Sequence, residues 1–232
     1  EHIARPGHAD YTGYVKYRGC NDPRGGGHFS GRVTAALVAA GAILRYALEQ
    51  KGIVIASHIA RLGGIDDRAF SDQAADAAVL NGRPFAVLDT AAGERMQACI
   101  RAARAAGDSV GGVLETVALG VPAGVGEPWF SSVESVLSAA LFAIPAVKGV
   151  EFGDGFALCD CRGSEANDPF RMAGAQVVTV TNHNGGVNGG ITNGMPITFR
   201  TAVKPTPTIG REQETVDFSA GADTTLQGKG RH

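Results

Sequence analysis

The chain has 232 residues, 44% of them hydrophobic and 19% charged, with a formal net charge of −2. That is enough apolar material for a sizeable core, and the near-neutral balance excludes general nucleic-acid binding, which needs a basic face. No uninterrupted apolar run reaches the length of a membrane span, and no signal peptide opens the chain.

Residues 1–29 read as loop and short strand, with turn signals at Asn21-Asp22-Pro23. Ser30 is a candidate N-cap for a helix to about Gln50, with Val33, Leu37, Ala40, Leu44 and Leu48 on one face. Residues 53–59 read as a strand, and 63–89 as a turn-rich surface excursion. A second helix spans Ala91 to Ala106, with Met96, Ile100 and Ala103 inward. Val110 to Val121 suits a strand, where Gly111-Gly112 implies a bulge or a close approach. A third helix runs from Ser131 to Ala143 on a stripe of Val133, Val136, Leu137 and Ala140. Val147 to Phe152, Gln176 to Val180 and Ile197 to Val203 suit strands. The alternation of strands and helices, with neither a dinucleotide-binding fingerprint nor a phosphate-loop motif, predicts a layered α/β or α+β fold.

Cys20, Cys99, Cys159 and Cys161 include no C-x-x-C pair, so no metal site is expected and all four read as reduced thiols of a cytosolic protein. The 33 glycines are about twice the usual share. They cluster in patches without a period, which suits tight turns and close backbone approach to a ligand.

Three segments are candidates for chemistry. The first is Arg5-Pro6-Gly7-His8. His8 is either an exposed histidine near a chain end or a proton donor near neutrality, and Arg5 beside it suits an anion. The second is Arg24 to Arg32. Its glycines can bring main-chain donors to an anion at a helix start, or form a flexible loop. Arg32 in the first helical turn opposes the helix dipole, a conflict that a bound anion would relieve. The third is 182–194, either two consecutive tight turns or a backbone wall against a flat ring or phosphate. Lys204-Pro205-Thr206-Pro207-Thr208, stiffened by two prolines, follows the last strand and carries an ammonium and two hydroxyls.

RPGHADYTGYVKY, RGGGHFSGRVTA, TNHNGGVNGGITNG with FRTAVKPTPT, and the closing KGRH resemble, in this order, the chorismate synthases. GDSVGG, GVPAGVGEPWF, AVKGVEFGDGF and GSEANDPF fit as well, so the resemblance covers nearly the whole chain. It is closest to the branch with His-Phe-Ser after the triple glycine.

The resemblance implies one α+β domain over 1–232, a β-α-β sandwich of antiparallel sheets with helices between them. It implies a cytoplasmic homotetrameric lyase that eliminates phosphate from 5-enolpyruvylshikimate 3-phosphate to give chorismate, using reduced FMN, with NADPH the flavin reductant in some members. Its partner is a small phosphorylated molecule; neither nucleic acid nor membrane is expected. By the same resemblance His8 is catalytic and sets the protonation of the reduced flavin, and Arg5 and Arg32 bind substrate. His28, Phe29, Ser30, Pro145, Ala146, Gly189, Lys204, Pro205, Thr206, Pro207, Thr208 and Arg231 contact FMN. The family also has a Gly-Glu-Ser-His-Gly motif and an arginine-rich segment before this stretch, and an aspartate after it. The chain is therefore expected to be incomplete at both ends. The competing expectations are a non-catalytic fragment that binds FMN or an anion, and a flavin oxidoreductase.

Overall fold

The computed structural model describes residues 2–22 and 24–228. In chain order the strands are β1 (Val54–Leu62), β2 (Ile65–Asp66), β3 (Gly112–Leu119), β4 (Val147–Phe152), β5 (Phe170–Ala173), β6 (Gln176–Thr179), β7 (Val187–Asn188), β8 (Ile191–Thr192), β9 (Ile197–Val203), β10 (Glu212–Asp217) and β11 (Ala222–Gln227). The α-helices are α1 (Asp10–Lys16), α2 (Thr34–Glu49), α3 (Gln73–Leu80), α4 (Thr90–Ala105), α5 (Val133–Phe142) and α6 (Gly163–Ala166).

A five-stranded sheet in the order β2-β1-β3-β9-β4 forms the centre, antiparallel at every pairing; β5-β6, β7-β8 and β10-β11 are separate hairpins. The α+β expectation holds. Alternation along the strands sends Ala56 of β1 and Val117 of β3 to the face that meets Ala77, Leu80 and Leu88, all buried. Met96 of α4 is fully buried. Of these, Val117, Leu80, Leu88 and Met96 each contribute roughly 1.5–3 kcal/mol on leaving water.

The core therefore corrects the reading of 63–89. That stretch is no surface excursion: it holds β2, α3 and four buried core residues, Ala77, Leu80, Val87 and Leu88. Two capping aspartates start the helices around it. Asp72 Oδ1 accepts from Ala75 N–H at 3.0 Å, and Asp89 Oδ1 from Ala91 N–H at 3.0 Å. In α4 the buried side is Ala92, Gly93 and Met96, whereas Ile100 is exposed.

Two helices show apolar stripes that are not buried among the described residues. Val33, just before α2, and Leu37, Ala40 and Leu44 on it are exposed and Leu48 is half-buried; on α5, Val136 and Ala140 are exposed while Val133 and Leu137 are half-buried. The continuous helical stretch Gly31–Glu49 has mean hydropathy 1.3 and is long and apolar enough to cross a membrane by length and composition. The run-based expectation missed it because Arg32 and Arg45 interrupt the apolar sequence. Core helices of water-soluble proteins meet the same criterion.

Among the described residues, His58 is the most deeply buried polar side chain. His58 of β1 is 1% exposed and sits between two carboxylates, with Nδ1 2.8 Å from Asp67 Oδ2 and Nε2 2.8 Å from Glu115 Oε2. Asp67 also accepts from Leu88 N–H at 2.6 Å and Asp89 N–H at 2.8 Å. It thus ties the segment after β2 to the start of α4.

Candidate functional site

The site is assembled from both ends of the described chain. Ile3 bridges Asp217, Ala4 N–H donates to Val216 C=O at 3.1 Å, and Thr215 Oγ1 donates to Ala4 C=O. The N-terminal segment is in effect a third strand on the β10-β11 hairpin. Just beyond it the chain turns, with His8 N–H donating to Arg5 C=O at 3.1 Å, and enters α1. This helix was read as loop because its seven residues carry no long apolar stripe. Tertiary contacts hold it instead. Tyr11 and Tyr14 set their rings 6.2 and 4.6 Å from Phe218, and Gly13 backs onto Phe29.

The Arg5–His8 turn lies against the segment that leaves β9. His8 Nε2 is 2.6 Å from Thr208 Oγ1, and Lys204 Nζ donates to Gly7 C=O at 2.7 Å. Gly7 has φ +72°, and a Cβ there would stand 2.8 Å from Pro207 Cβ, so both conformation and space demand glycine.

Two further segments shape the same exit. Lys204 N–H donates to Ala146 C=O at 2.9 Å, and Ser109 Oγ donates to Thr206 C=O at 2.7 Å. Ala146 takes φ +73°, a left-handed conformation that costs a non-glycine residue about 1–2 kcal/mol. Gly111 confirms the predicted close approach: a Cβ on it would be 2.7 Å from Val203 O and 2.8 Å from Pro205 Cδ.

The glycine loop borders this group on Arg5. A Cβ on Gly26 would lie 3.7 Å from Ser30 Cβ and 3.9 Å from Arg5 Nη2. Residues 24–29 form a 3-10 turn, and Ser30 caps the following turn Gly31–Val33 by accepting from Arg32 N–H at 3.3 Å. Arg32 Nε donates to the same hydroxyl at 3.1 Å. His28 and Phe29 stack at 4.3 Å and meet Tyr17 at 5.6 and 6.4 Å, forming a small aromatic face.

Of the predicted residues, the structure brings together Arg5, His8, Ala146 and Lys204 through Thr208, with Ser30 and Arg32 beside Arg5 across Gly26; Pro145 precedes Ala146 in the chain, and His28 and Phe29 pack on Tyr17, Phe29 also on Gly13 of α1. Gly189 belongs to the β7-β8 hairpin, which is held elsewhere, by the Gly126–Ile191 bridge and by Val133 N–H donating to Gly190 C=O at 3.0 Å. Arg231 lies outside the described residues. Sequence reasoning missed Ser109, Gly7 and Phe218 as supports, and it assigned no role to Asp10. Only GDSVGG, seen as a motif without a mechanism, pointed toward Ser109.

The 182–194 patch is organised by Asp168. Its carboxylate accepts from Thr181 Oγ1 at 2.7 Å, His183 N–H at 2.8 Å, Asn184 N–H at 3.0 Å and Asn184 Nδ2 at 2.7 Å. Burial opposes its charge, but these donors hold it below the usual carboxylate range. His183 Nδ1 also sits 2.5 Å from Asp154 Oδ2. Tight turns therefore account for the stretch.

Chemically, the convergent group offers two guanidiniums, an ammonium, hydroxyls and main-chain donors for an anion. It also offers an imidazole hydrogen-bonded to a hydroxyl, suited to holding or passing a proton. Among the described residues, no cluster of three or more His, Cys, Asp or Glu side chains could hold a metal ion.

Comparison with known proteins points the same way. The family model for chorismate synthase matches residues 1–232. The chorismate synthase of Thermococcus kodakarensis is 48% identical over 227 residues, covering 98% of this chain and 62% of the relative. That of Aeropyrum pernix is 47% identical over 229 residues, covering 98% and 60%. That of Dehalococcoides mccartyi is 47% identical over 228 residues, covering 98% and 62%. A crystal structure of a chorismate synthase superposes with a TM-score of 0.75 at 31% identity, covering 84% of this chain and 62% of that one. The chain thus spans about 62% of the length of the relatives it matches.

Proposed function

The chain belongs to the chorismate synthase family, and from that premise we propose that the polypeptide carrying it eliminates phosphate from 5-enolpyruvylshikimate 3-phosphate to give chorismate. In this reaction a ring C–O bond breaks, phosphate departs with the electron pair, and a ring proton leaves from the carbon that completes the new double bond. The residues fit reduced FMN: the His28–Phe29 face, the glycine loop, Lys204 and the Thr206 and Thr208 hydroxyls offer an apolar plane and donors to a phosphorylated ring system. When bound, that group would supply electron density as the C–O bond breaks and regain it as the proton leaves.

The protein's own part is binding, orientation and proton control. Arg5 and Arg32 hold the substrate's anionic groups. His8 holds a proton at Nε2 against Thr208 and sets the protonation of its neighbours. Pro145 and Ala146 border the cofactor, and the stretch 1–232 acts as one domain. Assembly as a homotetramer, a cytoplasmic setting and NADPH as flavin reductant belong to the same reading.

The observation that carries it is the hydrogen bond between His8 and Thr208, which joins the histidine motif to the proline-stiffened exit. The experiment uses the natural-length polypeptide. Oxidised FMN is titrated with and without substrate, and phosphate release is followed with reduced FMN. The expected result is a flavin spectral change tightened by substrate, and release without net reductant consumption. Binding without release would make the protein a binder only. Stoichiometric NADPH oxidation coupled to product would make it an oxidoreductase.

A further inference from the structure

Asp10 turns its carboxylate back from the start of α1 onto Arg5. Oδ2 accepts from the Arg5 main-chain N–H at 2.9 Å and from Nε at 2.8 Å, while Oδ1 accepts from Nη2 at 2.7 Å. The side-chain pair is a two-bond fork, and the main-chain contact fixes the carboxylate itself. The two side chains are 34% and 20% exposed. A pair this accessible adds little stability, so its main consequence is geometric. With the Nε/Nη2 edge clamped, the guanidinium stays beside Gly26 and Ser30, and its Nη1 edge is left to a second partner.

Burial opposes the charge of Asp10, but the hydrogen bonds from Arg5 outweigh it and hold the carboxyl below its ordinary range. Lys204, bonded to Gly7 C=O, is the cation facing this turn from the β9 exit, and Asp217 of β10 flanks the N-terminal strand.

We propose that Asp10 is a positioning residue that aims Arg5 at an anionic ligand over the glycine loop. This rests on the function proposed above, and the test separates the two.

In the natural-length polypeptide, Asp10→Asn is compared with the parent by steady-state phosphate release, with KM and kcat separated, and by calorimetric titration with inorganic phosphate. KM for the phosphorylated substrate is expected to rise about 10- to 100-fold, as when a charged hydrogen bond is lost, and phosphate affinity is expected to fall with it. An unchanged KM together with unchanged phosphate affinity overturns the proposal. So does a lower Tm with both of those readings as in the parent, since that marks a purely structural residue. Should Asp10→Asn not fold, Asp10→Glu decides. The displaced fork should raise KM; a parental KM overturns the proposal. If the parent releases no phosphate, the proposed function falls, and the phosphate titration still decides the role of Asp10.

Discussion

Thr208 Oγ1 stands 2.6 Å from His8 Nε2 although 200 residues separate them. A hydroxyl at that distance fixes the plane of the imidazole and can accept or donate according to the ring's tautomer. His8→Ala is expected to lower phosphate release by about 10²–10⁴-fold, the usual contribution of an acid–base group. Thr208→Val keeps the shape and removes the bond, so it should cost less and shift the pH profile. Turnover at parental level in His8→Ala would return the histidine to an ordinary surface role.

His58 should make stability depend on pH. Burial pushes its imidazole down, but hydrogen bonds to Glu115 and Asp67, with their charges, raise it above the ordinary histidine value. The charged groups around it are those two carboxylates, with Arg68 next to Asp67, Arg200 opposite Glu115 on β9, and Glu151 paired to Arg200 at 2.8 Å. A raised value means the stabilisation is complete below about pH 6.5 and is lost as pH rises through the folded-state value. Urea midpoints of the parent should therefore decline above neutrality. His58→Gln should start roughly 3–5 kcal/mol lower, because two carboxylates lose their cation, and should decline less. Parallel curves for the two proteins would refute this account.

Asp168→Ala should release the 181–184 turn. Hydrogen bonds to a charged acceptor contribute about 1.5–3 kcal/mol, and the four here share one carboxylate, so a loss in that range is expected from denaturant midpoints. The depressed carboxyl adds a sign. Its stabilisation is present above the usual carboxylate value and fades as pH falls through the lower folded-state value. The difference between parent and variant should therefore shrink in acid.

Gly111→Ala places a methyl group against Val203 O and Pro205 Cδ. The backbone of β9 cannot yield as a flexible side chain would, so a cost of about 1–3 kcal/mol is expected. The Lys204–Thr208 exit should move with it. FMN titration of the variant should show weakened binding beyond what the fraction unfolded explains.

The sequence exposed those parts of the fold that have a local cause. β4 and β9 are visible in alternation and β-branched content, α2 and α4 in helical periodicity, and Ser30 in its cap chemistry. α1, α3, β5, β10 and β11 were not visible. α1 and α3 are short, and α1 is held by rings arriving from residue 218, far along the chain. Strand β10 alternates exposed and half-buried residues, most of them polar, and the N-terminal segment bridges it at Asp217.

From the sequence alone came the chemical inventory of the site, an imidazole, guanidiniums, a glycine loop and a proline-stiffened exit, because residue type and local spacing are encoded directly along the chain. The tertiary structure decided which of these meet. It set His8 on Thr208, Lys204 on Gly7 and Asp10 on Arg5, it sent the β7-β8 hairpin to other neighbours, and it buried His58 between two acids. Such pairings depend on strand register and on side chains brought together from distant positions, and their energies exist only once the chain has closed on itself.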